Sequence, residues 1–178
     1  YVVNGQKIWT SGAPWADWII LLTRTQFDPG AKHKGITCLL VPGDAAGLSA
    51  AAPERKMGAN ASPTAQVIFD DVHVSADRVM GTEGGGFTVA LAALDAGRLG
   101  IAACAVGLAQ AALDAAVAYA ADRQQFGRSI IEFQGVGFML ADAATQLAAA
   151  RALTQHAARL RDAGRPYSLE AAQAKLFA

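Results

Sequence analysis

The sequence has few of the residues from which disulfide scaffolds and metal sites are built. Of its 178 residues, two are cysteine and three are histidine. Cys38 and Cys104 lie far apart in unrelated contexts, as is typical of buried thiols in a reducing compartment. The three histidines are His33, His73 and His156, and their spacing is not that of metal ligands. We therefore expect no metal site, and we expect the protein to be cytoplasmic.

Charge is also scarce, and it is balanced. Charged residues make up 17% of the chain, and fifteen basic residues match fifteen acidic ones. A nucleic-acid-binding surface needs a basic face or stripe, so we predict no nucleic-acid partner. Apolar residues make up 53% of the chain, which indicates a protein that buries a core and not a disordered linker.

Uninterrupted apolar runs are short. The longest, such as Ile101 to Ala109, are rich in alanine and stop well short of the roughly 20 residues that cross a bilayer. We therefore predict no membrane span. Tyr1 to Gly5 looks like a strand that enters a turn and not like a signal peptide, so we expect the true N-terminus to lie upstream.

The first half of the chain predicts β structure. Short runs rich in β-branched and aromatic residues are bounded by Gly, Pro, Asn or Asp. In one run, Ala65, Val67 and Phe69 share one parity, as in a strand with one buried face. Strands at this spacing without intervening helices predict an antiparallel sandwich or barrel. The predicted strands are Gly5 to Gly12, Asp17 to Thr25, Gly35 to Pro42 and Thr64 to Val74.

Beyond Gly81 the chain predicts helices, so the fold class is α+β. Alanine dominates, and apolar residues recur at helical spacing. One stripe is Leu91, Leu94, Ile101, Val106, Leu108, Leu113 and Val117. A second is Phe133, Val136, Leu140, Ala143, Leu147, Ala150, Leu153 and Leu160. Gly164 and Pro166 end the second helix, and Ser168 caps a third that we expect Ala178 to interrupt.

Two motifs in or near the β region have alternative interpretations. Gly81 to Gly86 is either a phosphate-binding loop or a flexible joint, and its spacing favours the joint. Trp9 to Gly12 is either an edge strand with a core tryptophan or a planar aromatic and two hydroxyls beside a bound ring system.

Two motifs in the helical region are equally open. Asp122 to Gly127 is a helix end with Gly127 as its cap, and Arg123 also suits a pyrophosphate. Gln134, expected one turn into the next helix, is either a surface amide or part of the same site. Asp95 and Arg98 form either a structural ion pair or one wall of a substrate pocket.

Taken in order, these motifs resemble the acyl-CoA dehydrogenases. The resemblance covers all 178 residues colinearly, and its specificity comes from the ordered set. The stretch from Leu94 to Leu108 is most similar to the short-chain, butyryl-type branch. The segments that carry the resemblance are Gln6 to Gly12, Lys56 to Gly58, Val67 to Val72, Gly84 to Phe87, Leu94 to Arg98, Tyr119 to Gly127 and Phe133 to Gln134.

The resemblance implies a middle β domain over residues 1–82 and part of a C-terminal four-helix bundle over residues 83–178. The family binds FAD and oxidises acyl-CoA thioesters to trans-2-enoyl-CoA, by α-proton abstraction and β-hydride transfer to flavin N5. We therefore expect an oxidoreductase of fatty acid metabolism with an electron-transfer flavoprotein-type acceptor. The expected assembly is a homo-oligomer, as a dimer of dimers.

The resemblance also implies roles for particular residues. One set flanks the isoalloxazine ring, with the Ser11 hydroxyl reaching flavin N5: Trp9, Thr10 and Ser11. A second set holds the adenine and pyrophosphate half of FAD of a neighbouring subunit: Arg123, Gln125, Phe126 and Gln134. A third set lines the substrate, from the CoA adenine end to the acyl end: Asp95, Ala96, Gly97 and Arg98.

Two departures from the family pattern bear on function. Gly97 stands where one branch of the family has its base glutamate, so we expect the base beyond Ala178 and expect this chain alone to be inactive. Asn60 stands where an arginine is common. The alternative functions are a flavin oxidase or monooxygenase of the same fold and a non-catalytic helical scaffold that has lost FAD.

Overall fold

The computed structural model describes all 178 residues except the side chain of residue 29. The chain divides into two compact units, Tyr1–Leu91 and Ala92–Ala178. The strands are β1 (Val2–Ser11), β2 (Trp18–Arg24), β3 (Ile36–Pro42), β4 (Leu48–Ala50), β5 (Thr64–His73), β6 (Gln124–Gln125) and β7 (Arg128–Ser129). The α-helices are α1 (Gly86–Asp122), α2 (Gln134–Asp162) and α3 (Ser168–Phe177).

The first unit is built from two antiparallel sheets. One sheet has the strand order β1-β5-β4, and the other pairs β2 with β3. Apolar residues from both sheets form one buried cluster, so the predicted antiparallel, sandwich-like β unit is confirmed. The cluster includes Val3, Ile19, Leu21, Leu39, Val41, Ala65, Val67, Phe69 and Val72.

Strand β5 shows why the alternating pattern predicted a half-buried strand. Ala65, Val67 and Phe69 are at most 4% exposed, whereas Ile68 between them is 40% exposed. Successive side chains of a strand point to opposite faces, so this strand has one core face and one outer face. Its centre lies between β1 and β4, and β4 was absent from the prediction because three residues carry little pattern.

Strand β1 has an irregular register at the end that carries the aromatic motif. Lys7 pairs with Val67 and Thr10 pairs with Ala65, so three steps on β1 oppose two on β5. The extra residue is a β-bulge, and Trp9 has a φ of 59° within it. A bulky residue rarely adopts this left-handed conformation. Trp9 is 67% exposed, so its interpretation as a core tryptophan is wrong.

The glycine run before α1 packs tightly against β3. The Gly84 N–H donates to Thr37 Oγ1 at 2.9 Å, and the Thr25 and Thr37 hydroxyls lie 2.8 Å apart. A Cβ added at Gly86 would lie 2.6 Å from the Thr37 carbonyl carbon. The expectation of a flexible joint is therefore wrong at Gly84 and Gly86, because close backbone approach explains both glycines.

Helix α1 buries a different face from the predicted one. Leu99, Ala102, Val106 and Ala120 are buried, whereas most of the predicted stripe is exposed: Leu91, Leu94, Ile101, Leu108 and Val117. Alanine and glycine surround these residues on every side, so the apolar periodicity is too weak to define one face. Only Val106 and the partly buried Leu113 from the predicted stripe belong to the helical core.

By length and composition alone, α1 could cross a membrane, with a mean hydropathy of 1.8 over its most apolar stretch. The uninterrupted apolar runs within α1 remain short, and the expectation of no membrane span stays a prediction. Isolated residues such as Asp95 and Arg98 interrupt the runs in the sequence but leave the helix predominantly apolar. Core helices of other proteins meet the same criterion.

Helices α2 and α3 follow their predicted pattern more closely. Leu147, Ala150 and Leu160 are buried, and the fully buried Ala157, Ala171 and Ala174 lie on two helices that contact each other. Such small side chains allow helices to approach closely.

The end of α2 is also as predicted. Gly164 has a φ of 64°, its N–H donates to Arg161 O, and the Arg165 N–H donates to Leu160 O. This pair of bonds is the Schellman helix end that a glycine permits.

Candidate functional site

The bulged end of β1 presents an aromatic surface and two hydroxyls. The Trp9 side chain lies mostly in solvent, Thr10 is half-buried and Ser11 is exposed. Thr10 pairs with Ala65 and Ser11 pairs with Thr64, so β5 fixes the backbone that carries the two hydroxyls. An indole face can stack on a planar ring, and a hydroxyl can donate to a ring nitrogen.

Thr10 also lines a cavity of about 240 Å³ inside the first unit. Its other walls come from β1, β2 and β5, and they are mostly apolar. The neighbours of Thr10 there include Lys7, Ile20, Leu22 and Val67. A recess with apolar walls and a polar edge suits a planar ligand that has a few hydrogen-bonding atoms.

Arg123, Gln125 and Phe126 lie on or beside a small hairpin that follows α1. Gln124 pairs with Ser129 and Gln125 with Arg128. The turn between them is formed by Phe126 and Gly127, whose φ values are 51° and 78°. Two residues with positive φ match a type I′ turn, which suits the twist of a hairpin. The interpretation of Gly127 as a helix cap is therefore wrong.

The C-terminus of α1 is satisfied by Ser129 instead. Its Oγ lies 2.8 Å from Ala120 O and 2.9 Å from Ala121 O, and these are carbonyls of the last helical turn. The Arg123 N–H donates to Tyr119 O at 2.8 Å, and Arg123 O accepts from Ile130 N at 2.9 Å. These bonds connect the hairpin to the helix end, and they leave the Arg123 side chain exposed.

Gln134 is the first residue of α2, and the expectation that it lies one turn into the helix is wrong. The residue before it, Phe133, packs edge-on against Phe126, with ring centroids 6.1 Å apart. The side chains of Gln125, Phe126 and Gln134 are all exposed, and Phe126 is 91% exposed. The structure thus brings four residues together on the exposed hairpin and the adjoining start of α2: Arg123, Gln125, Phe126 and Gln134.

The segment from Asp95 to Arg98 lies in α1 and contains an ion pair. Arg98 Nη1 lies 2.6 Å from Asp95 Oδ1, and Ser168 at the start of α3 donates to Asp95 Oδ2. Asp95 is 17% exposed and Arg98 is 35% exposed. The structural interpretation of this pair is confirmed. The Arg98 guanidinium nevertheless remains partly accessible, and Gly97 has open space where a side chain would begin.

The two groups on the helical unit do not form one pocket. Arg98 and Asp122 are 24 residues apart in one helix. At 1.5 Å per residue, this separation is about 36 Å along the axis. Asp95, Ala96, Gly97 and Arg98 therefore lie far from the hairpin that carries Arg123. Separate ligands are therefore needed to contact the two groups of residues.

Burial and hydrogen bonding shift the pKa of a few groups away from these motifs. Desolvation raises the pKa of the buried Cys38 thiol, whose Sγ lies 3.9 Å from Met80 Sδ. The Ser75 hydroxyl lowers the pKa of the exposed Asp77 carboxyl. The hydrogen bond of Tyr1 to Glu83 raises the pKa of the exposed Tyr1 phenol. None of these groups belongs to the predicted sites.

Sequence reasoning missed four residues that support the site. Ser168 was predicted to cap α3, but its hydroxyl bonds Asp95, and no side chain caps the helix start among the described residues. Ser129, Arg128 and Phe133 hold the hairpin to the two helices. The Phe-Gly pair between short polar runs was the available signal for a hairpin, but two-residue strands are too short for alternation to show.

A β-sandwich unit followed by long alanine-rich helices, with the candidate site residues largely exposed on each unit, defines a two-unit α+β protein. The chain belongs to the acyl-CoA dehydrogenase family. Residues 1–72 match the acyl-CoA dehydrogenase middle domain, and residues 84–178 match the acyl-CoA dehydrogenase C-terminal domain. The resemblance predicted from the motifs is therefore confirmed.

Three relatives illustrate the similarity. The mitochondrial short/branched chain specific acyl-CoA dehydrogenase of Bos taurus is 44% identical over 178 residues, which are all of this chain and 41% of that protein. The butyryl-CoA dehydrogenase of Megasphaera elsdenii is 40% identical with a TM-score of 0.93, over 99% of this chain and 46% of that one. A chain in the structure of the electron transferring flavoprotein of Acidaminococcus fermentans is 44% identical, with a TM-score of 0.92 and the same coverage.

This chain thus spans less than half the length of the relatives that it matches.

Proposed function

We propose that this chain supplies flavin- and substrate-binding surfaces of an FAD-dependent acyl-CoA dehydrogenase. The proposed reaction removes an α-proton and a β-hydride from an acyl-CoA thioester and yields trans-2-enoyl-CoA. The observation that carries the proposal is the similarity of all 178 residues to proteins named short/branched chain or short-chain acyl-CoA dehydrogenases. The butyryl-type relatives favour a short acyl chain.

The end of β1 fits a flavin ring. Trp9 offers an exposed indole face, and Ser11 offers a hydroxyl that can donate to a ring nitrogen. The positive φ of Trp9 also supports a functional role, because strained backbone is retained most often at ligand-binding positions. The role of this chain is to hold the indole and the hydroxyl in place. When bound, FAD would supply the hydride acceptor at its N5 atom.

The exposed hairpin fits the other half of FAD. The Arg123 guanidinium and the Gln125 and Gln134 amides are donors suited to a pyrophosphate, and Phe126 offers a ring on which adenine can stack. All four side chains are exposed, as is expected of groups that contact FAD of a neighbouring subunit. We extend the proposal to a homo-oligomer, arranged as a dimer of dimers.

The segment from Asp95 to Arg98 is proposed to line the acyl-CoA. Arg98 remains partly accessible while Asp95 holds it from one side. Asp95 is a poor candidate for the catalytic base, since Arg98 engages one of its oxygens and Ser168 the other. Gly97 has no side chain, so the proposed base is a glutamate elsewhere in the full-length protein. A positioned base contributes about a hundred- to ten-thousand-fold to the rate.

The proposed electron acceptor is an electron-transfer flavoprotein, and the proposed location is the cytoplasm. Cys38 and Cys104 are both free thiols, which fits a reducing compartment.

Arg123→Ala in the full-length protein tests the flavin assignment. A charge-assisted contact to the pyrophosphate contributes roughly 1.5–3 kcal/mol, so FAD affinity should fall by about one to two decades. Titration of the apoprotein with FAD, followed by flavin fluorescence, measures the change. Unchanged affinity would reduce Arg123 to a cation at a helix end.

Anaerobic addition of butyryl-CoA to the full-length protein with FAD tests the reaction. Bleaching of the flavin absorbance together with trans-2-enoyl-CoA formation is the expected result. If oxygen is then admitted, rapid reoxidation of the bleached flavin would instead favour a flavin oxidase of the same fold. A colourless protein that takes up no added FAD would favour a non-catalytic scaffold and contradict the proposal.

A further inference from the structure

Three side chains join the hairpin to the start of α2, and we name them the Phe133 cluster: Arg128, Phe126 and Phe133. The Arg128 Cζ atom lies 4.1 Å from the centroid of the Phe133 ring. Phe126 meets the same ring edge-on, at 6.1 Å between centroids and an interplanar angle of 83°. The Phe133 ring thus has the Arg128 cation over its face and the Phe126 ring beside it.

We infer that Arg128 and Phe133 are positioning residues, which orient Phe126 and Arg123 for FAD without touching it. This inference rests on the proposed function, because it concerns the same exposed hairpin. The pair is not among the residues to which the family resemblance assigns a role.

The hairpin needs such a support because it is very short. Its strands are two residues each, and an isolated hairpin of this size is marginally stable at best in water. Phe126 forms part of its turn and is 91% exposed, so solvent surrounds most of this side chain. The Phe133 ring supplies a fixed apolar surface against which Phe126 can rest.

The Phe133 side chain extends from backbone that is held at the start of α2. The Phe133 carbonyl accepts from the Val136 and Gly137 N–H groups at 3.0 Å each. A Cβ on Gly137 would lie 3.3 Å from Ile131 O, so the segment before the helix also packs closely. Arg128 of β7, which stacks on Phe133, is therefore held against the start of α2.

Movement of the Phe133 ring would also displace the neighbouring residues that are proposed to contact FAD. Gln134 follows Phe133 directly in the chain, and Ile130 N donates to Arg123 O at 2.9 Å. Loss of the Arg128 stack would leave β7 attached to α1 only through Ser129 and its pairing with β6. Through the Ile130 bond it would also loosen the backbone of Arg123. The geometry thus couples the Phe133 cluster to residues on the adenine and pyrophosphate side.

A double-mutant cycle in the full-length protein tests this inference. Arg128→Gln and Phe133→Leu should each weaken FAD binding by about two- to five-fold, which is the range for an exposed cation–π contact. The double variant should be no weaker than the weaker single variant, because both changes remove one interaction. Phe133→Tyr retains the ring face and should bind FAD like the parent. Arg161→Gln removes another exposed arginine, on α2, and should have no effect.

The salt dependence of FAD affinity separates positioning from direct contact. Arg123→Ala should lower this dependence, since a charge–phosphate contact is screened by salt, whereas Arg128→Gln should leave it unchanged. Additive losses in the cycle, or a lowered salt dependence for Arg128→Gln, would show that Arg128 binds FAD directly and would overturn the inference. Unchanged affinity in both single variants would overturn it as well.

Failure of the proposed function has a different signature in the same experiment. In that case Arg123→Ala, Arg128→Gln and Phe133→Leu would all leave FAD affinity unchanged, or the parent itself would not bind FAD. Thermal melting of each apoprotein shows whether Phe133→Leu still folds. If the Phe133→Leu variant does not fold, the inference is tested by the comparison of Arg128→Gln with Phe133→Tyr and by the salt dependence of FAD affinity.

Discussion

Trp9 and Phe126 hold large aromatic side chains on a backbone that such residues rarely adopt. Their φ values are 59° and 51°, and both rings are mostly exposed. Each conformation costs of the order of 1–3 kcal/mol, which the surrounding hydrogen bonds must offset. In Trp9 the cause is the bulge against β5, and in Phe126 it is the type I′ turn. Propensity places an aromatic residue in an ordinary strand, so neither positive φ was predicted from the sequence.

Ser11 is the residue at which a flavin interaction can be tested most simply. Ser11→Ala removes one exposed hydroxyl, so we expect little change in folding stability. If the hydroxyl donates to flavin N5, the variant should show a shifted flavin spectrum and slower half-reduction by butyryl-CoA. Stopped-flow absorbance under anaerobic conditions measures both effects.

Ser49→Ala is the matched control for Ser11→Ala, because Ser49 is an exposed serine on β4. Spectra and reduction rates of the two variants that equal those of the parent would remove Ser11 from the flavin site.

The two cysteines should differ sharply in reactivity. Cys38 is fully buried, and its burial raises the pKa of the thiol, so little of the reactive thiolate forms near neutral pH. Cys104 is exposed on α1. We expect iodoacetamide to modify Cys104 in the native chain and Cys38 only after unfolding. Mass spectrometry of peptides after short labelling times checks this order, and rapid native labelling of Cys38 would contradict the burial.

At the level of secondary structure, two glycines of α1 should respond oppositely to the same substitution. A Cβ on Gly86 would lie 2.6 and 2.7 Å from backbone atoms of Thr37 and Cys38, whereas a Cβ on Gly100 meets nothing within 4 Å. Gly86→Ala should lower the free energy of unfolding by about 1–3 kcal/mol, the usual cost of overpacking. Gly100→Ala should raise it by about 0.5–1 kcal/mol, because alanine favours a helix.

Urea unfolding followed by circular dichroism compares the two glycine variants with the parent. Equal effects at the two positions would contradict the close packing of Gly86 against β3.

The predictions of secondary structure succeeded where a local cause was strong and failed where pairing decided the outcome. Glycine, proline and aspartate mark the ends of β2 and β3, and Gly164 marks the end of α2, because each residue acts on its own backbone. Strand β4 was not predicted, because it depends on pairing with β5, which is distant in sequence. The hairpin was not predicted either, because its strands have only two residues each. The buried face of α1 was mispredicted, since alanine-rich positions look alike on every side of a helix.

The site was predictable to a similar extent. The residues of the hairpin group were recognised from a resemblance, and the structure places them together. Their supports are Arg128, Ser129 and Phe133, which act through contacts that a sequence does not display. The same holds for Ser168, which bonds Asp95 in the other group.

At the scale of the whole molecule, the 178-residue chain alone should not oxidise acyl-CoA. Gly97 offers no carboxylate, and both oxygens of Asp95 are engaged. Without a positioned base the rate should fall about a hundred- to ten-thousand-fold, apart from any loss of FAD. Anaerobic mixing of the chain with FAD and butyryl-CoA should leave the flavin absorbance unchanged. Rapid stoichiometric bleaching would contradict this prediction and the assignment of the base to another segment.

The same chain should also associate with itself. Leu108, Met139 and Leu176 are 73–87% exposed, and a groove of about 650 Å³ between α1 and α2 has mostly apolar walls. Large exposed apolar patches favour association. Light scattering should show a mass that rises with protein concentration, and a constant monomer mass at every concentration would contradict the prediction.

The pairing of β1 with β5 has a consequence for the order in which the chain folds during synthesis. Val2 pairs with His73 and Ser11 pairs with Thr64, so β1 needs a partner that is made some 60 residues later. At roughly 5–20 residues per second, β1 waits about 3–12 s for β5. Its apolar residues remain open to chaperones and to other nascent chains throughout that interval. The hairpin and the helix pair α2–α3 close over far shorter separations, and each can form as soon as it emerges.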